Sequence, residues 1–205
     1  MWFGITYVGL IMAVGTLLVL DFGLRQLVDV GLRALSPAVN DPTTATEVVL
    51  RIESVLRRLL VADLPPEAVA GPGGRVLLRP WALNHDEYVA HAFDELRLAG
   101  PTQLRVVTTM LRTLRMLIVT VEEAGRPERV PALERQMRLL LDVVERRDDL
   151  HPEDLARVRA VSSAETDPAD HSRASPHYAD GEGGGRASIK AHDARPSTPT
   201  DTRRS

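Results

Sequence analysis

Met1 to Leu20 contain no charged side chain, and polar and apolar positions interleave only from Asp21 onward. From Phe22 to Leu35 the polar residues Arg25, Asp29 and Arg33 recur every four positions, one face of a helix continuing from the apolar segment. Ser36-Pro37-Ala38-Val39-Asn40-Asp41-Pro42 then breaks the pattern. Pro37 disfavours helical geometry at Ser36, while Asp41 suits an N-cap with Pro42 in the first helical position. Val48, Ile52, Val55 and Leu59 predict a helix over about Pro42–Ala62, with the pairs Glu47–Arg51 and Glu53–Arg57 on its wet side.

Asp63 to Gly74 reads as a loop, and Arg75 to Arg79 as a short strand, one arm of a hairpin. Asn84 followed three residues later by Glu87 has the form of a capping box, opening a helix that Gly100-Pro101 stops. Leu104, Val107, Leu111, Leu114, Ile118 and Val121 repeat three-four-three-four-three, the clearest helix of the chain, and Gly125 ends it. Val130, Leu133, Met137, Leu140 and Val144 continue the rhythm in a further helix. His151-Pro152-Glu153-Asp154 starts a short last helix ending near Val161. From Ser162 to Ser205 only Tyr178 and Ile189 are large and apolar, too few to offset chain entropy, so this tail is expected to be disordered.

The expected architecture is therefore all-α. Residues 1–20 form a transmembrane helix, 21–161 a bundle of about five helices with a short strand near 75–79, and 162–205 a disordered tail. Twenty residues at about 1.5 Å each span roughly 30 Å, the hydrocarbon thickness of a bilayer. Trp2 and Tyr7 lie where aromatic belts sit, and neither a basic leader nor a cleavage site marks a signal peptide. No basic residue precedes the segment, whereas Arg25 and Arg33 follow it, which puts the body in the cytoplasm. A buried core helix is the plainer alternative, since Gly4, Gly9 and Gly15 dilute the hydrophobicity.

Composition narrows the chemistry. Aromatics are 4% of the 205 residues against 44% hydrophobic, so Leu, Val and Ala must build the core, which favours helices. A net charge of −3 gives no pull toward nucleic acid. The absence of cysteine excludes disulfides, thiolate metal sites and Cys nucleophiles. Gly71-Pro72-Gly73-Gly74-Arg75 lacks the Gly-Lys-Ser/Thr ending of a phosphate loop. Glu87, His91 and Glu95 share a helix face, but the outer two lie about 12 Å apart along the axis, too far for one ion. The row Arg105, Arg112 and Arg115 suits anionic lipid or, more simply, a wet face. No metal site and no cofactor are expected.

The helix break carries the candidate site. Arg25 and Arg33 precede it, and Ser36, Asn40, Thr43 and Thr44 lie in it, beside the positive end of the next helix. With Asp29 and Asp41 these residues form a candidate cradle for an anion or lipid headgroup. In the plainer reading Asp41 caps the helix, Asn40 makes an Asx turn and Arg33 pairs with Asp29.

Asp21 to Ala45, DFGLRQLVDVGLRALSPAVNDPTTA, and Ala92-Phe93-Asp94-Glu95-Leu96-Arg97 resemble stretches shared by the bacterial predicted membrane proteins grouped as domain of unknown function 2254. The resemblance extends over roughly residues 21–160 and implies a bacterial inner-membrane protein without an assigned activity. Gly31 stands where the family usually has Ala, a minor departure. Family members are expected to carry several spans before the signature, so the chain reads as shortened or as started at a misplaced Met. The first functional expectation is a membrane-anchored scaffold or regulatory domain without catalysis, with the lipid bilayer and a homo-oligomer as partners. The alternatives are a subunit of a channel or transporter-like assembly, and an enzyme or ligand site at Asp29, Arg33, Asn40 and Asp41.

Overall fold

A computed structural model describes residues 2–70, 72–78 and 83–163, apart from the side chains of residues 2–14, 16–18, 69, 72 and 77. Within them the chain is mostly helical: α1 (Trp2–Leu35), α2 (Pro42–Leu59), α3 (His85–Ala99), α4 (Leu104–Glu123), α5 (Val130–Glu145) and α6 (Pro152–Ser163). Between α2 and α3 sits a small antiparallel hairpin of β1 (Ala68–Ala70) and β2 (Val76–Leu78). The expected tail lies outside the described residues, except that α6 continues through Ser163.

Local chemistry sets the boundaries. The Asp41 carboxylate accepts hydrogen bonds from the Thr43 and Thr44 amides and so caps α2, with Pro42 opening the helix. Asn84 and Glu87 complete a reciprocal capping box at α3, the Asn84 amide donating to Glu87 Oε2 at 2.7 Å. The corner between α1 and α2 closes by a hydrogen bond from the Asp41 amide to the Ala34 carbonyl, 2.8 Å. Asn40 takes a left-handed φ of 46°, which Asn tolerates better than most residues.

The helices alternate in direction. Gly31 of α1 faces both Val48 of α2 and Leu96 of α3, and Gly100 at the end of α3 faces Leu35 at the end of α1. The Ser36–Asp41 corner, Gly100–Gln103 and the start of α4 therefore lie at one end of the bundle. The end of α2, the start of α3, the end of α4 and the start of α5 lie at the other. There His85 Nε2 bonds the Ala62 carbonyl at 3.0 Å, and Arg129 donates to the carbonyls of Leu60 and Ala62. Because α1 and α2 run antiparallel at equal rise, the Gly31–Val48 contact sets Leu59 about level with Leu20. α1 begins at Trp2, so its first half runs beyond the end of α2.

The core is aliphatic, centred on α4, with Phe93 of α3 as its one fully buried aromatic ring among the described residues. Each fully buried Leu or Val contributes roughly 1.5–3 kcal/mol relative to exposure. Three expectations change in detail. The α2 stripe is wider than the spacing implied: Val55 is half-buried, while Val49, Leu56 and Leu60 are buried. Glu53 is not on the wet side but buried, accepting from Thr113 at 3.2 Å while pairing with Arg57 at 3.6 Å. On α4, Val106, Met110, Thr113 and Leu117 form a second buried row beside the expected one, because α2 covers one flank and α5 and α6 the other.

Candidate functional site

The helix corner gathers only part of the candidate cluster. The Ser36 hydroxyl donates to the Arg33 carbonyl at 2.8 Å, closing the last turn of α1. The Asn40 carboxamide oxygen accepts from Gln103 Nε2 at 2.6 Å, tying the corner to the start of α4. Asp41 Oδ1 accepts from both the Thr43 and Thr44 amides at 3.0 Å, and Oδ2 from the Thr44 hydroxyl at 2.6 Å. The Thr44 hydroxyl, with the Thr44 and then the Thr43 amide, holds the Asp41 carboxyl below its ordinary value against a small opposing effect of desolvation.

These contacts occupy the first turn of α2. Pro42 has no N–H, Thr43 and Thr44 donate to Asp41, and the Ala45 amide donates to the Asp41 carbonyl at 3.2 Å. An anion at this turn would have to displace the Asp41 carboxylate and overcome its charge. Arg25 stands about two turns back along α1 from Arg33 and pairs with Asp21 at 3.3 Å. The ion pair of the plainer reading, Asp29 with Arg33, does not form; both are exposed, and the same four-residue spacing is used by Asp21 and Arg25 instead. The expected Asx turn at Asn40 is replaced by the left-handed backbone and the Gln103 bond.

The other polar candidates take structural positions. Glu87 is committed to the capping box, while His91 Nε2 is buried without a partner. Among the described residues no three His, Cys, Asp or Glu side chains are placed to hold one metal ion. Arg115 leaves the expected row to donate to the Val161 carbonyl at 2.8 Å, joining α4 to α6. A groove of about 510 Å³ opens beside it, lined by Ile118, Glu122, Met137, Arg138 and Leu141 among others. Sequence reasoning missed Gln103, Thr113 and Arg129, whose partners lie 63, 60 and 69 residues away. No local spacing announces contacts at such separations.

The elements that make this corner, α1 from Leu20, α2, α3 and about two thirds of α4, coincide with a family domain. Residues 20–116 match the predicted membrane protein family DUF2254. The resemblance carried by Asp21–Ala45 and Ala92–Arg97 falls inside that stretch. The chain is also similar to uncharacterised proteins of Mycobacterium bovis and Mycobacterium tuberculosis, 32% identical over 125 residues. That alignment covers 61% of this chain and 23% of each relative, so the chain spans about a quarter of the length of the curated relatives it matches. No solved structure matches it. Among the described residues no helix is long and apolar enough to cross a membrane. The transmembrane expectation concerns residues 1–20, of which only Gly15, Val19 and Leu20 have described side chains.

Proposed function

We propose that the protein is a membrane-anchored helical scaffold. In this reading residues 1–20 lie in the bacterial inner membrane, the bundle faces the cytoplasm, and the body acts through contacts with partners or further copies rather than by catalysis. The observation that carries the reading is the uninterrupted 34-residue α1. Its second half packs into the bundle through Leu24, Val28 and Ala34, while its uncharged first half runs past the end of α2. Such a helix joins a lipid-facing segment to a folded body without a hinge. Ser36, Asn40, Asp41, Thr43 and Thr44 belong to this reading as the corner that turns the chain from α1 into α2, with Arg25, Asp29 and Arg33 on the helix that leads into it.

The chain has no cysteine, so one introduced thiol reports topology cleanly. Ala38→Cys places it in the exposed corner. In a bacterial host the variant should stay with carbonate-washed membranes. It should resist an impermeant maleimide in intact spheroplasts and react after lysis. Recovery in the soluble fraction would refute the anchor, and labelling in intact spheroplasts would refute the orientation. Light scattering of the full chain in mild detergent should give a defined mass above that of the monomer; a monomer alone would remove self-association from the reading.

A further inference from the structure

The hairpin between α2 and α3 presents an apolar face that the bundle does not cover. Ala68 pairs with Leu78 and Ala70 with Val76, and paired residues of an antiparallel ladder point to the same side. All four are exposed, Val76 at 59% and Leu78 at 62%. Scattered single hydrophobes on a surface are ordinary, but four on one face of a two-stranded ribbon are not. Such a ribbon is barely stable alone in water. Among the described elements its strands contact chiefly each other, which leaves this face open to a surface outside the bundle.

Its location says which surface. The chain leaves α2 at Leu60–Asp63 and re-enters at Asn84, and the His85–Ala62 hydrogen bond holds these two points together. The hairpin therefore hangs from the end of the bundle that is level with Leu20, where the uncharged half of α1 emerges. The hairpin itself carries only positive charge: from Ala68 to Asn84 the ionisable residues are Arg75, exposed at the turn, and Arg79, while Asp63 and Glu67 lie on the arm that leaves α2. An apolar face beside arginine is the chemistry of an element lying in the interface of an anionic bilayer.

We propose that the hairpin Ala68–Leu78 is a second membrane contact, its face of Ala68, Ala70, Val76 and Leu78 seated in the headgroup layer of the bilayer that residues 1–20 enter. This rests on the anchored reading above. The two contacts have different jobs: the helix holds the protein at the membrane, and the hairpin fixes how the bundle is turned about the helix axis.

The test uses the full chain in vesicles of phosphatidylcholine and phosphatidylglycerol. The variants Val76→Cys, Leu78→Cys and Val39→Cys are each labelled with the environment-sensitive fluorophore NBD. Val39 is equally exposed, at 60%, but sits on the corner at the opposite end. Circular dichroism must overlay that of the unaltered chain; Ala70→Cys replaces any hairpin variant that fails. The hairpin probes should emit further to the blue than the Val39 probe and resist aqueous iodide. They should also be quenched more by shallow than by deep lipid nitroxides, as expected about 5–10 Å into the interface. If the vesicles float with protein but the hairpin probes behave like the Val39 probe, the hairpin proposal fails and the anchor stands. Blue-shifted hairpin probes that lipid nitroxides do not quench would mean a protein covers the face, which also overturns it. If the protein does not float with vesicles, the anchored reading fails and the hairpin proposal with it.

Discussion

Replacing Arg129 by methionine should cost the bundle about 2–4 kcal/mol. The guanidinium is 7% exposed and sits over the C-terminal end of α2. It donates to the carbonyl of Leu60, a fully buried residue, and at 3.2 Å to that of Ala62. A hydrogen bond from a charged donor contributes about 1.5–3 kcal/mol, and a buried acceptor left alone costs about 1–3 kcal/mol. The Ala62 carbonyl keeps its His85 partner and belongs to an exposed residue, so it adds little. Asp63 at 3.9 Å and Glu128 at 3.6 Å are themselves exposed and weigh little in the balance. Methionine retains most of the packing stem, so the loss is polar rather than a cavity. Domains of this kind have about 5–15 kcal/mol in all, so the urea midpoint followed by circular dichroism should fall markedly with an unchanged m-value. Arg129→Lys should fall between, because both carbonyls are reached through Nη1, a place that an ammonium on a shorter stem fills only in part. A loss below about 0.5 kcal/mol for the methionine variant would refute the reasoning, since it would mean that water replaces the guanidinium at Leu60.

Further predictions concern the corner and the helix contact behind it. Asn40→Ala should destabilise by about 2 kcal/mol, combining left-handed strain with the lost Gln103 bond, and Asn40→Gly by less; equal losses in thermal melts would count against the strain. Asp41 titrates below its ordinary value when folded, so its capping contribution is whole at neutral pH and lost as pH falls from about 4 through the folded value. Asp41→Asn keeps a cap but should lose that part of the acid dependence, read from urea midpoints measured across the range. Gly31→Ala would bring a Cβ to 2.8 Å from Leu96 Cδ2 and 3.1 Å from Val48 Cγ1. Overpacking costs about 1–3 kcal/mol, helix propensity returns about 1, and a midpoint that rises would show that Leu96 can move aside.

The parts of the fold legible in the sequence are those settled within a few residues. Asp41-Pro42 and Asn84-x-x-Glu87 announce their helices because capping is local, and the seams of α4 and α5 show because one buried flank imposes a helical period. A period cannot say how many flanks are covered, so nothing in it marks the second buried row of α4 or Thr113 within it, and Glu53 reads as part of a surface ion pair. The glycine at position 31 illustrates the same limit: a one-methyl departure looks minor until three helices are found to meet there. At the corner, the capping role of Asp41 was readable, whereas the choice of Asp21 over Asp29 as an arginine partner depends on side-chain surroundings that equal spacing does not encode. The bond between Asn40 and Gln103 follows only from the way α3 returns the chain to the corner.

The continuity of α1 has a mechanical consequence. A helix of 34 residues is about 51 Å long, and the first described break in the chain comes at Ser36, at the end of the bundle farthest from Leu20. On the anchored reading proposed above, with residues 1–20 in lipid, nothing at the bilayer surface would act as a joint, so the body would swing through whatever angle the helix takes. Spans accommodate thinner or thicker bilayers by tilting. A lever of this kind would turn a small change in membrane thickness into a rotation of the whole bundle, and would press the hairpin into the headgroups or lift it free.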